Sequence, residues 1–466
     1  MHFRSDRGFM VRKDACLTFM ILLSALLFSA TASGQGILKK TFPKLGGYQI
    51  GGSPFDGYSD PEYQKAMSKL DYVILGSAIP SINEDARAIR AINPDIILAK
   101  YTNMGEVWQI FEAYQELRRN KVYKEKGPNS SNALDWWARD AEGNQVSKWP
   151  NNWTVNITHY VQPDASGDRY PQWVAKLDYD LWLKHDVWDA VYEDSVYWNA
   201  GRASREKPID WSGGIESSYA KIQSAYRLGH QAYWNQLRKL MPNKYIFVNH
   251  DWYLSEEPSA LGRWDLPEYD RQVDGGLLEG VLKSSDLVSP RKPWAKTLHF
   301  YRRSIDYFRD PAMIMFVASG EPDNYRFFRL AFATCLLDDG YFDYAPTGSH
   351  QYGTVEWFDE FDLAGRAGTD WLGLAVDAPP TSAWKSGVWR RDFQGGIALV
   401  NPYGNGAVTV TVESGFKRIA GVQDPKVNNG KVADSITLQD GDGIILVRVG
   451  AVPEPVAPKP PVLRAD

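Results

Sequence analysis

Cysteine is nearly absent: Cys16 and Cys335 are the only two in 466 residues. Cys16 falls in an N-terminal stretch that reads as a leader, so the mature chain keeps one thiol and has no internal disulfide, and its stability has to come from burial. Cys335 stands beside Leu336 and Leu337 in a helical pattern, which gives it a buried apolar role rather than a reactive one. Histidine is scarce as well. The seven are dispersed and none lies in a His-Glu-x-x-His pattern, so a zinc hydrolase lacks its usual ligands. Also missing are a Gly-x-Ser-x-Gly nucleophile elbow, a phosphate loop and a Gly-rich dinucleotide turn after the first strand. No cofactor is expected. Cationic excess is lacking too, with 52 Lys and Arg against 57 Asp and Glu. That balance turns more acidic once the leader is set aside, so nothing supplies the basic field that nucleic acid requires.

Long hydrophobic runs are confined to the N-terminus. Arg4, Arg7, Arg12 and Lys13 precede an apolar run from Ala15 to Ala30, followed by the small residues Ala30-Thr31-Ala32. The run falls short of the roughly 20 residues of a membrane span and carries the flanks of a signal peptide. The expectation is a leader over 1–34, export to the periplasm or the exterior, and no stable membrane insertion after its removal.

What the chain does have is aromatic rings, including 18 Trp and 25 Tyr, and a hydrophobic content of 44%. That content is enough for one large core and a small second domain. Many of the rings belong in the core. Rings beside carboxylates and amides also make natural platforms for sugars, which show flat C–H patches next to hydroxyls.

From about residue 45, short apolar runs alternate with amphipathic stretches, the pattern of repeated βα units. Eight strands are expected: Leu45 to Ile50, Tyr72 to Leu75, Ile96 to Lys100, Ala190 to Glu193, Tyr245 to Asn249, Gly276 to Glu279, Met313 to Ala318 and Gly340 to Tyr344. Helical spacing recurs at Glu62 to Leu70, Glu106 to Arg119, Gln172 to Lys184, Tyr219 to Leu240 and Tyr325 to Leu337. The fold class that follows is α/β, a (β/α)8 TIM barrel over 35–378. The long connection from Tyr101 to Trp188, rich in Trp, is expected to form a large loop after strand three. It either builds a wall of the site or packs on itself. After about residue 380, alternation with Gly and Asn turns predicts a small C-terminal antiparallel β-sandwich domain over 379–450, and the Pro-rich 451–466 reads as a disordered tail.

In a (β/α)8 barrel, ligand chemistry sits at the C-terminal ends of the strands. Acids stand there repeatedly: Glu193-Asp194 after strand four, Asp251 after strand five, Glu279 in strand six, Glu321 after strand seven and Asp343 in strand eight. Asp194 and Glu279 are the sharper pair, because strands two positions apart let carboxylates face each other across a bound sugar, as glycoside hydrolysis needs. Neighbouring strand residues point to opposite faces, so one of Glu193 and Asp194 lines the mouth; Asp194 is preferred and Glu193 is the alternative. Glu279, in an apolar setting, suits a raised pKa and the general acid, leaving Asp194 as nucleophile or charge stabiliser. Tyr48, Asn249, Asp251, Trp252, Glu321 and Asp343 are the candidate substrate-binding residues, and a structural Asn-His-Asp turn at 249–251 stays open.

Gly46-Gly47-Tyr48, Tyr192-Glu193-Asp194, Val248-Asn249, Leu278-Glu279-Gly280 and Val400-Asn401-Pro402, in this order, resemble a family of glycoside-hydrolase-like barrels, hypothetical glycosyl hydrolase family fifteen. The resemblance covers most of the mature chain. It implies the barrel, a carbohydrate substrate, and an Asp at strand four with a Glu at strand six. Two functions follow for test: a glycoside hydrolase acting on a polysaccharide or oligosaccharide, and a non-catalytic glycan-binding barrel that kept the cleft without the chemistry.

Overall fold

A computed structural model describes residues 38–51, 57–76, 79, 81–109, 113–122, 135–205, 208–249, 266–348 and 352–450. The expected leader and the Pro-rich tail lie outside the described residues. Among the described residues, ten strands occupy the first part of the chain: β1 Gly46–Gln49, β2 Tyr72–Leu75, β3 Ile97–Thr102, β4 Glu106–Trp108, β5 Asn152–Thr154, β6 Ala190–Glu193, β7 Tyr245–Asn249, β8 Gly275–Lys283, β9 Met313–Gly320 and β10 Tyr341–Pro346. Eight of them form one parallel sheet in the order β1-β2-β3-β6-β7-β8-β9-β10. The ends meet at a parallel bridge between Leu45 and Phe342, where the Phe342 amide donates to Lys44 O at 2.9 Å, so the sheet curls into a nearly closed barrel.

Alternation along each strand sorts the apolar side chains into two sets. Tyr48, Ile74, Ala99, Tyr192, Phe247, Leu277 and Met315 share one buried cluster in the lumen. Their neighbours Val73, Leu98, Val191, Val248, Leu278 and Phe316 join a second cluster with the surrounding helices. Strands buried on both faces read as continuous apolar runs, which is why these segments fold as parallel strands. The lumen is a packed core, with Tyr72 lying 5.1 Å from the Phe247 ring and 5.8 Å from the Tyr341 ring.

The segment expected as one helix from Glu106 to Arg119 is two elements. Glu106–Trp108 is β4, which pairs antiparallel with β5, and the helix is Ala113–Val122. The pairing of Val107 with Trp153 and the burial of Glu106 outweigh helical spacing there. The tryptophans of this long connection divide. Trp136 is fully buried against Tyr170, whereas Trp108 and Trp149 face the barrel mouth.

The C-terminal part adds β11 Trp389–Asp392, β12 Gly396–Asn401, β13 Val408–Thr411, β14 Phe416–Arg418, β15 Ser435–Leu438 and β16 Asp442–Arg448. They form a four-stranded and a two-stranded antiparallel sheet that share a core of Ile397, Leu399, Val410, Ile436 and Leu446. Among the described residues no helix is long and apolar enough to cross a membrane.

Candidate active site

A cavity of about 550 Å³ opens at the C-terminal ends of the barrel strands. Strand alternation decides what faces it. On β6, Tyr192 packs in the lumen and Asp194, two residues on, follows the same face into the cavity. Glu193 points the other way. It is fully buried and accepts hydrogen bonds from His230 Nδ1 at 2.8 Å and from the Trp234 indole, both on the helix Tyr219–Leu240.

Asp194 accepts three hydrogen bonds, each of 2.7 Å: from the Tyr101 hydroxyl, the Ser195 amide and the Asn249 side-chain amide. Ser195 holds a left-handed backbone with φ of 61°, strained for a residue with a side chain, and this conformation accompanies the contact of its amide with Asp194. Burial and the nearby Asp194 push the Tyr101 hydroxyl well above the usual tyrosine range, so it stays a donor.

Glu279 reaches the cavity through an irregularity in its strand. Pairing between β8 and β9 shifts register between Leu278 and Leu282, and Gly280 in that interval has φ of 56°. Such a bulge re-aims a side chain, and a glycine permits the turn. Glu279 accepts from the Tyr352 hydroxyl and, at 3.2 Å, from Asn249 Nδ2. Burial first, and the Asp194 charge second, hold its pKa above the ordinary glutamate value. Asn249 at the end of β7 therefore donates to both carboxyls.

The other candidates are distributed unevenly. Tyr48 lines the cavity, its ring 4.8 Å from Tyr352 and 5.5 Å from Tyr192. Asp343 does not line it. It lies buried near the seam, where its carboxylate accepts from the Tyr48 amide at 2.9 Å. Glu321 is exposed and outside the lining, held by Ser284, Asn324 and Thr347. Asp251 and Trp252 lie outside the described residues.

Several lining residues escaped sequence reasoning: Tyr101, Tyr352 and above all Glu106. Glu106 is 3% exposed, and one oxygen accepts from Asn152 at 3.0 Å and Asn103 at 3.3 Å. Its other oxygen has no partner among the described residues. Burial, then the Asp194 charge, push its pKa up to about 7. Asn103 also donates to Ser195 Oγ at 3.3 Å, which links Glu106 to the Asp194 turn.

Glu106 and Asp343 make stability depend on pH. Burial raises Asp343 to about 7, like Glu106, from ordinary values of 3.8 and 4.5. The stability these groups contribute is complete below about pH 4, where both states are protonated, and is lost as pH rises through about 7. A Glu106→Gln, Asp343→Asn double variant should therefore gain several degrees of Tm on the wild type between about pH 5 and about pH 8. Calorimetric scans at both pH values check this, and a constant Tm difference between the proteins contradicts it.

Solved structures with partial similarity include the glycoside hydrolase domain of PelA from Pseudomonas aeruginosa, at 14% identity and a TM-score of 0.40 over 68% of this chain and 99% of that one. Amy13B of Eubacterium rectale is 9% identical with a TM-score of 0.48, over 89% and 97% of the two chains. Ega3 of Aspergillus fumigatus, solved in complex with galactosamine, is 10% identical with a TM-score of 0.33, over 62% and 82%. No curated protein matches the sequence. The profile of one family matches residues 90–397, most of the barrel and the start of the β-sheets, and the chain belongs to it: hypothetical glycosyl hydrolase family 15.

Proposed function

We propose that the protein is a glycoside hydrolase that cleaves a polysaccharide or oligosaccharide with retention at the anomeric carbon, Asp194 acting as nucleophile and Glu279 as acid and then base. The reading is carried by the bridging amide. Asn249 Nδ2 lies 2.7 Å from Asp194 Oδ1 and 3.2 Å from Glu279 Oε2, so these two oxygens are no more than about 5.9 Å apart. Retaining hydrolases hold their carboxyls about 5–5.5 Å apart, and inverting ones need roughly 6.5–9.5 Å to admit water.

In this mechanism Glu279 gives its proton to the glycosidic oxygen while Asp194 attacks the anomeric carbon and the leaving sugar departs as an alcohol. Water then attacks the same carbon, its proton returns to Glu279, and the bond to Asp194 breaks. The raised pKa of Glu279 suits the first step, and one of its causes is the Asp194 charge. Once Asp194 carries the glycosyl group that charge is gone, which lowers the Glu279 pKa and suits it to act as base. Trp108 supplies a ring face for a flanking sugar. The leader-like 1–34 supports a site of action in the periplasm or outside the cell.

A hydrolysis screen over a glycan panel tests the proposal, run with wild type and an Asp194→Asn, Glu279→Gln double variant. Turnover by the wild type alone, with the first-formed anomer retained in NMR spectra, is the expected result. Equal turnover by both proteins, or an inverted first product, sinks the assignment; binding without turnover leaves a glycan-binding barrel.

A further inference from the structure

Among the described residues, the mouth of the cavity runs against the charge of the molecule: the chain carries net −5, yet the described lining holds four cations, Lys148, Arg202, Arg205 and Lys283, against three carboxyls, Glu106, Asp194 and Glu279. The carboxyls are partly or fully buried, whereas Arg205 and Lys283 are exposed.

Arg205 and Lys283 stand out among the four. Arg205 lies 3.7 Å over the Trp149 ring, and among the described residues it forms no ion pair. A guanidinium stacked by its face keeps its in-plane N–H groups available, the geometry that grips a carboxylate or sulfate with two parallel bonds. Lys283 ends β8, and its aliphatic chain passes over Gly280, where an added Cβ would stand 2.9 Å from Lys283 Cε. Its ammonium makes no salt bridge among the described residues, and its charge only partly offsets the rise in the Glu279 pKa. In the sheet, β7 lies between β6 and β8, so the loop carrying Arg205 and the end of β8 flank Asn249 and the two carboxyls it joins.

We infer that the glycan this cleft takes is anionic, with carboxylate or sulfate groups on the sugars that flank the cleavage point, met on one side by Arg205 on Trp149 and on the other by Lys283. The inference rests on the hydrolase reading only in placing the cleavage point. Cations that served merely to balance the buried acids would stand in contact with them, and Arg205 stands on an indole instead. The nucleophile, in turn, confines the substrate's charges to the flanking sugars, because an anion over the Asp194 carboxylate is repelled at short range. A narrow cleft focuses the field of its rim charges on such a ligand, and salt weakens that attraction.

The test is binding by full-length Asp194→Asn protein to four polymers: polygalacturonate for carboxylate, dextran sulfate for sulfate, dextran as the uncharged parent, and chitosan as a polycation. At low salt, polygalacturonate or dextran sulfate is expected to bind at least about tenfold more tightly than dextran or chitosan, with affinity falling as salt rises. Adding Arg205→Gln and Lys283→Gln should remove about tenfold or more of that affinity, since charge-assisted hydrogen bonds are lost. Adding Lys426→Gln and Lys431→Gln, at exposed sites in the connection between β14 and β15, should leave it unchanged. Binding of dextran or chitosan as tight as that of both polyanions, no polyanion binding at all, or equal losses in the two charge variants overturns the inference. Cleavage of a neutral or cationic glycan that depends on Asp194 would sink this inference and spare the hydrolase; polyanion binding by a protein that cleaves nothing would do the reverse.

Discussion

Replacing Glu279 with Gln should slow glycosidic cleavage by about 10²–10⁴-fold on natural linkages, the usual worth of a positioned general acid. The loss should shrink when the leaving group is an activated phenol, because such a group departs without a proton. Asp194→Asn should instead lose on the order of 10⁴-fold or more on every leaving group, since no covalent intermediate forms. Both substitutions preserve volume and keep one oxygen, but each turns an amide toward a group that donated to the other oxygen, Tyr101 or Asn249 with Ser195 at Asp194 and Tyr352 or Asn249 at Glu279, so the fold should hold at a cost of about 1–3 kcal/mol. Steady-state kinetics on one glycoside series with graded leaving groups separates the two roles. Equal penalties for Glu279→Gln across the series would remove it as the acid, and a near-wild-type kcat for Asp194→Asn would remove it as the nucleophile.

The strand ends were legible because burial on both faces leaves a strong mark in the sequence. Tyr72–Leu75, Ala190–Glu193 and Tyr245–Asn249 have the bounds that their apolar runs predict. The apolar run Gly276 to Glu279 is shorter than β8, because the strand continues to Lys283 through a bulge that only pairing with β9 reveals. Glu106 departs from its helical spacing for a related reason. Its spacing to later residues suits a helix face, but its conformation is set by pairing with Thr154, 48 positions further along. Tyr352 reaches Glu279 from a loop with no periodicity to betray it. Local pattern thus located the frame and the acids that end its strands, while contacts made across long loops decided which other groups share the cavity with them.

Glu193 and Asp194 are adjacent in sequence and should answer mutation in opposite ways. Glu193 is fully buried between the barrel and the helix Tyr219–Leu240, and both its oxygens accept hydrogen bonds, one from His230 and one from Trp234. Glu193→Ala leaves those two buried donors without an acceptor and opens a cavity beside them, so it should cost about 3–5 kcal/mol of stability. Glu193→Gln keeps one oxygen and the volume, yet turns an amide toward the second donor, and about 1–3 kcal/mol should be lost. Denaturant midpoints for the two variants check the order, and kcat measured on the fraction that remains folded checks the assignment. Folded Glu193→Gln should work at a rate near wild type, because its carboxyl never meets the cavity. A large fall in kcat without a fall in stability would place chemistry on the outer face of β6, and the strand alternation that separates the two acids would no longer identify the one that reacts.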